Sequence, residues 1–200
     1  MELAEVGARV FEVDVQLSGD SVVVSHFLPV LRVRGWLEND NWKVRWVGRG
    51  PCPDPELDEV ADRIPADCEI LLDPKEKTPE RRAKLADRLI SHGLDTSRCY
   101  VSTAHDRDLA RYRDAGFRTW RTAGNPRELA RVLGGGARPD HAVSVRHTLL
   151  SDATVTRLHD VVPTVVAWTV NNVGRARRLR GMGVDGLTTD LREVMAYAAA

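Results

Sequence analysis

The sequence predicts an α/β fold, a (β/α)8-type barrel one strand short, and three observations predict it. From residue 55 onward, short apolar runs alternate strictly with helical patterns across short connections, the pattern of a parallel sheet covered by helices. Counting two opening strands gives about seven sheet strands, and 200 residues fall below the usual ~250 of a full barrel. No Gly-rich phosphate loop follows a first strand, which argues against the alternative, a doubly wound open sheet.

In chain order, residues 1–8 read as the last turns of a helix stopped by Gly7. Residues 10–17 alternate apolar and polar, so Phe11, Val13, Val15 and Leu17 share one strand face and Glu12, Asp14 and Gln16 the other. Ser18-Gly19-Asp20-Ser21 is a turn cluster, and residues 22–26 form a second strand ending on His26. Residues 31–36 and 42–47 pair as a hairpin around 38–41, inside an excursion spanning 27–54 of a single domain over 1–200. Arg32, Arg34, Arg45 and Arg49 interleave there with Trp36, Trp42 and Trp46. A nucleic-acid platform is one reading; a hairpin whose indoles cover the core is preferred. Helices are expected from Pro55 to Ile64, from Thr78 to Gly93, and over 106–115, 126–133, 151–159, 173–182 and 191–197. Strands are expected over 68–73, 98–103, 117–122, 142–146, 164–170 and 185–189.

Composition excludes several function classes. The 29 basic and 29 acidic residues cancel, so nothing in the total argues for nucleic acid or an anionic membrane surface. No apolar run reaches the ~18 residues of a membrane span, and the acidic N-terminus does not read as a secretory signal. Three cysteines, Cys52, Cys68 and Cys99, show no metal-ligand spacing and suit a reducing, cytoplasmic compartment.

The chemistry concentrates on the opening strands. Two carboxylates on one strand face raise each other's pKa and are costly to bury without a compensating cation or hydrogen bonds. The functional reading is a divalent cation held by Glu12 and Asp14, with His26 giving or taking a proton; the alternative is an edge strand with a solvated polar face. In a barrel, functional groups gather at the C-terminal ends of strands, here Asp14, His26, Asp73, Ser102, His147, Trp168 and Asp190. His105 and His147 read first as exposed or capping residues and second as further catalytic histidines. Arg175, Arg177, Arg178 and Arg180 read as a solvated helix face, Gly134-Gly135-Gly136 as a connection, and Thr188-Thr189-Asp190 as an N-cap of the last helix. No acid marks Ser102 and His105 as a nucleophile pair.

These segments resemble the glycerophosphodiester phosphodiesterases, a (β/α)8 barrel family of the phospholipase-C-like kind. Gly7-Ala8-Arg9-Val10-Phe11-Glu12-Val13-Asp14-Val15 is similar to its Gly-Ala-Asp-x-x-Glu-x-Asp-Val segment, and Val22-Val23-Val24-Ser25-His26 to its Val-Val-x-His-Asp. Pro55-Glu56-Leu57-Asp58-Glu59-Val60 resembles Pro-Thr-Leu-Glu-Glu-Val, and Leu72-Asp73-Pro74-Lys75 resembles Glu-x-Lys. Trp168-Thr169-Val170-Asn171 and Gly183-Val184-Asp185-Gly186-Leu187-Thr188-Thr189-Asp190 match the two closing motifs. The resemblance implies metal ligands at Glu12, Asp14 and Asp73, the last standing where the family has Glu. It implies catalytic roles for His26, protonating the leaving alcohol, and for Lys75, holding the phosphate or orienting the ligands. It implies Trp168 beside the glycerol moiety and a Ca²⁺ or Mg²⁺ cofactor. The implied function is hydrolysis of glycerophosphodiesters to glycerol 3-phosphate and an alcohol, in lipid metabolism. The family's first strand ends in His-Arg-Gly, and this sequence begins after that point. Two further readings follow: an impaired domain that only binds a phosphorylated ligand, and a related lyase forming a cyclic phosphate. A barrel short of one strand leaves an open edge between the 10–17 and 185–189 strands, which invites a homodimer.

Overall fold

Period-two alternation in the opening strand becomes two chemically distinct faces. The structure, a computed structural model, describes residues 8–25, 33–38, 41–46, 54–135 and 141–199. Strand β1 spans Val10–Ser18. Val13, Val15 and Leu17 are buried in a cluster that includes Leu57, Leu85 and Leu89, which belong to covering helices. Strand β2, Ser21–Val24, folds back antiparallel on the C-terminal half of β1, with Val15 opposite Val24 and Ser18 opposite Ser21. Gly19 makes the tight turn at φ +63°, a conformation that side chains with a Cβ rarely adopt. The hairpin comprises β3, Val33–Glu38, and β4, Asn41–Trp46, in a two-stranded sheet of its own, running from Val33 opposite Trp46 to Glu38 opposite Asn41. His26, Cys52, Gly136 and the helix turns expected before Ala8 lie outside the described residues.

Strands and helices then alternate: α1 Leu57–Ala61, β5 Glu69–Pro74, α2 Pro79–Ser91, β6 Cys99–Thr103, α3 Asp106–Asp114, β7 Arg118–Ala123 and α4 Pro126–Leu133. They continue with β8 Ala142–Arg146, α5 Asp152–His159, β9 Val165–Trp168, α6 Val173–Gly181, β10 Gly186–Leu187 and α7 Arg192–Ala199. Four helix starts are stated in the sequence by polar caps: Thr78, Asn125, Ser151 and Asn172 each accept a backbone N–H from the first turn. Pro79 and Pro126 follow two of them, where a missing N–H costs nothing. α4 stops at Gly134, and Gly135 turns the chain at φ +80°, so the part of the glycine run described here is a connection.

The main sheet has the order β10-β9-β8-β7-β6-β5-β1-β2. This is eight strands rather than about seven: seven are parallel, and β2 is an antiparallel edge. Two apolar clusters fill the space between sheet and helices, one centred on β1, β5 and β6 and one on β8, β9 and α5 to α7. A third, smaller cluster of Leu71, Trp120, Ala142 and Val166, joined by Val10 and Tyr100, lies on the sheet's other face. Two residues further along each strand, that same face carries Asp73, Thr122, Ser144 and Trp168, and Ser102 follows Tyr100. The concave side therefore has an apolar floor at the N-terminal level and a polar rim at the C-terminal level. Among the described residues the sheet does not close. A cleft of about 660 Å³ separates its ends, lined by Val10 and Phe11 on one side and Gly186, Leu187 and Met195 on the other. No helix of the described residues is long and apolar enough to cross a membrane.

One buried acid ties the rim together. The Glu76 carboxylate accepts the Leu17 N–H at 2.9 Å and two bonds from Arg81 at 2.5 and 2.8 Å, while Arg81 also donates to the Leu17 carbonyl at 3.2 Å. Burial opposes ionisation of Glu76, but the Arg81 and Leu17 hydrogen bonds override it and hold the carboxyl below its ordinary value. Glu76→Ala is expected to lower the unfolding free energy by about 2 kcal/mol, read as a lower urea midpoint at unchanged slope. With a depressed folded pKa, this contribution is complete above the ordinary carboxylate range and is lost as pH falls through the folded value. The stability gap between wild type and variant should therefore narrow in acid. An equal gap at about pH 7 and about pH 3 would show that the ionised carboxylate is not its source.

Candidate active site

Parallel pairing of β1 with β5 sets Asp14 directly opposite Asp73. Glu12, two residues earlier on β1, shares their face. One oxygen from each of the three carboxylates can be chosen so that all lie within 4.8 Å of one another. Lys75, two residues after Asp73, sends its Nζ between them, 2.6 Å from Asp14 Oδ1 and 2.6 Å from Asp73 Oδ2. Its backbone N–H donates to the Val15 carbonyl at 2.9 Å, which fixes the strand end beneath the side chain. Burial disfavours the Lys75 ammonium, but Asp73 and Asp14 overrule it and raise its pKa. Glu12 is open to water yet walled by protein on most sides. This desolvation, with Asp14 and Asp73 nearby, pushes its carboxyl up to about 8, and Lys75 only partly opposes the shift.

Among the described residues the Lys75 ammonium contacts Asp14 and Asp73, and Glu12, which shares their face without that contact, is pushed upward. Three carboxylate oxygens this close together are a donor set that fits a hard divalent cation. Glu12, Asp14 and Asp73 are the residues that could hold it.

The cluster opens on a cavity of about 650 Å³ at the C-terminal ends of the strands. Ser102, Thr122 and Ser144 line it from inward-facing strand positions, and His105, Asn125 and Glu128 from the loops and helix starts beyond β6 and β7. On the far side stand Trp168, Thr169, Thr188 and Asp190. The Trp168 ring packs on Gly124, whose backbone N–H is held by Glu128 Oε2 at 2.7 Å. Its indole Nε1 is buried and has no hydrogen-bond partner among the described residues. Asn171 joins the two closing loops: its Nδ2 donates to Asp190 Oδ2 at 2.8 Å, and its Oδ1 accepts from Thr189 Oγ1 and the Asp190 N–H, each at 3.0 Å. Thr189 Oγ1 in turn accepts the Leu191 N–H at 3.1 Å, just ahead of the last helix.

The structure separates residues that the sequence could not. Glu12, Asp14, Asp73, Lys75 and Trp168 line one cavity. Ser102 Oγ lies 2.5 Å from Thr122 Oγ1 and so has a hydroxyl neighbour rather than a histidine. His105 lines the cavity, whereas His147 is not among its lining residues. Arg175 donates to the His147 carbonyl and, at 3.3 Å, approaches its Nδ1. Burial, then Arg175 and Arg146, lower the His147 pKa. Arg175 therefore leaves the expected solvated face of its helix, and Arg177 and Arg180 lie over the Tyr197 ring, 5.9 and 5.6 Å from its centroid. Sequence reasoning passed over Thr122, Ser144, Asn125 and Glu128. The polar residue two places after the last inward apolar one on each strand was the available signal.

The glycerophosphoryl diester phosphodiesterase family model matches residues 55–193. That span contains Asp73, Lys75 and Trp168; Glu12 and Asp14 precede it and join the cluster through β1–β5 pairing. No curated protein matches the chain. Solved structures do. The glycerophosphodiester phosphodiesterase from Thermotoga maritima superposes with a TM-score of 0.69 at 20% identity, over 98% of this chain and 87% of that one. An Oleispira antarctica phosphodiesterase, solved with the product sn-glycerol-3-phosphate, gives 0.69 at 16%, over 98% and 87%. The glycerophosphodiester phosphodiesterase from Parabacteroides distasonis gives 0.64 at 19%, over 96% and 84%. At these identities the likeness establishes the barrel fold.

Ca²⁺ or Mg²⁺ at about 100 times its dissociation constant should add about 2.7 kcal/mol of stability. That corresponds to a rise in Tm of roughly 5–10 °C for a chain of this size. Glu12→Gln should abolish most of the rise. A Tm unmoved by either ion up to ~10 mM would rule the cluster out as a cation site.

Proposed function

The chain belongs to the glycerophosphoryl diester phosphodiesterase family, and on that premise we propose that it hydrolyses glycerophosphodiesters to glycerol 3-phosphate and an alcohol. In this proposal Glu12, Asp14 and Asp73 hold Ca²⁺ or Mg²⁺. The observation that carries the reading is the carboxylate cluster with Lys75 at its centre, opening on a cavity at the C-terminal ends of barrel strands. The product bound by the similar Oleispira antarctica phosphodiesterase, sn-glycerol-3-phosphate, supports the choice of substrate class.

A divalent cation in this site supplies Lewis acidity, polarising a phosphoryl oxygen. The chain's own residues do the rest. Lys75 carries a positive charge held in place by two carboxylates, so it meets a phosphodiester anion without having to be reoriented. Its contacts also keep one oxygen each of Asp14 and Asp73 turned toward the centre of the cluster. Trp168 offers an apolar wall to the glycerol moiety. Ser102, Thr122 and Ser144 offer hydroxyls to its oxygens. His26, directly after Ser25 in the chain, passes a proton to the leaving alkoxide. The same proposal places the reaction in lipid metabolism and the protein in the cytoplasm, where the buried unpaired thiols of Cys68 and Cys99 are at home. Association of two copies along the open edge between β1 and β10 belongs to it as well. A monomer by sedimentation velocity at roughly micromolar concentration removes that part alone.

Glycerol 3-phosphate should appear from a glycerophosphodiester in the presence of Ca²⁺ or Mg²⁺ and stop appearing when the cation is chelated. Lys75→Ala should lower kcat/KM about 100-fold, and Trp168→Ala should act mainly by raising KM. Activity unchanged by chelation, or by both substitutions, overturns the assignment. A cyclic phosphate as the end product would make the chain a lyase instead.

A further inference from the structure

Hydrolysis of a phosphodiester moves two protons. One leaves the attacking water and one reaches the departing alcohol, and the attacking and leaving oxygens stand roughly in line through phosphorus. Groups serving the two ends should therefore flank the carboxylate cluster from opposite sides. The sheet order β6-β5-β1-β2 provides two flanks around Asp14 and Asp73, which sit on the central pair. The chain beyond β6 leads to His105.

We propose that His105 is the general base of the reaction, taking the proton from the attacking water on the β6 side of the cluster. The inference rests on the phosphodiesterase reading and adds a residue to it. Among the described histidines, His105 lines the cavity, while the others are engaged elsewhere. His92 approaches Asp58 at 3.2 Å, His141 stacks edge-on to Tyr100, His147 is held by Arg175 and His159 meets the Gly183 carbonyl at 3.0 Å. The placement of His105 is also unusual for its local structure. It occupies the N-cap of α3, a position that favours Ser, Thr, Asp or Asn, yet its side chain makes no capping bond. Its ring is exposed and forms no hydrogen bond with any described residue. Its backbone is nonetheless anchored, the N–H donating to Thr103 Oγ1 at 3.3 Å and the carbonyl accepting from Leu109. A fixed backbone carrying an uncommitted imidazole at the cavity rim suits proton transfer, because a neutral imidazole keeps one ring nitrogen free to accept a proton. The step balances simply: the water O–H bond breaks, its proton goes to the ring, and the oxygen bonds to phosphorus. The P–O bond to the alcohol then breaks, and that alkoxide takes a proton from the general acid of the proposed reaction, assigned above to His26.

His105→Asn separates this role from a structural one, because Asn is a better N-cap and should preserve or raise Tm. Expected is a fall in kcat of about 100-fold or more with KM nearly unchanged. The fall should be equally large on a glycerophosphodiester with a p-nitrophenol leaving group, since a lost base is not relieved by a better leaving group. Added imidazole should restore part of the rate of His105→Ala. Wild-type kcat in His105→Asn overturns the inference and leaves the phosphodiesterase reading standing, and so does a fall that disappears with p-nitrophenol. Wild-type protein that releases no glycerol 3-phosphate overturns both.

Discussion

The Lys75 ammonium, 2.6 Å from Asp14 and 2.6 Å from Asp73, is the contact on which the arrangement depends. Parallel pairing sets the two aspartates level on adjacent strands, and Glu12 stands one inward position below Asp14. Two unit charges within 4.8 Å of each other repel by at least roughly 3.5 kcal/mol at an effective dielectric of about 20. The Lys75 ammonium, in contact with both, offsets the repulsion between Asp14 and Asp73. Desolvation first, and then the two neighbouring aspartates, leave the Glu12 carboxyl raised despite Lys75.

Holding one ammonium there requires a rigid strand end, and the surrounding loop supplies it. The Lys75 N–H continues the ladder to Val15, and the next residue, Glu76, reaches back to Leu17 and across to Arg81 at the start of α2. Strand β1, strand β5 and the following helix are thereby locked within a few residues of the functional group. The other side of the cavity uses a neutral version of the same device, Asn171 bridging to Thr189 and Asp190. Site geometry and barrel rim are one hydrogen-bonded structure, which is why function on this fold gathers at strand ends.

Along the strands, chemistry changes with height. The inward position is apolar at Leu71, Trp120, Ala142 and Val166, and two residues later it becomes Asp73, Thr122, Ser144 and Trp168. The apolar floor lies at the barrel base, and the polar rim places hydroxyls and charges around the cavity at the strand ends. The open edge between β1 and β10 cuts through this wall and brings Glu12 within reach of a second cleft.

Much of this was legible in the sequence, because it follows from local periodicity. The alternation over residues 10–17 separated Glu12 and Asp14 from Val13 and Val15. Capping residues marked helix starts, and the strand–helix rhythm led to a parallel sheet. Strand ends were less legible: β9 stops at Trp168 and β10 is only Gly186–Leu187, because pairing partners rather than apolar runs decide where a ladder ends. What only the tertiary structure decided is register and neighbourhood. That Asp14 faces Asp73 rather than a residue one step away depends on inter-strand pairing across 59 positions, which no local pattern encodes. That His105 reaches the cavity while His147 is held by Arg175 depends on which helix packs beside each loop. The sequence by itself determined which residue types stand on which face of each strand; the order and register of neighbours in the sheet determined which of them meet.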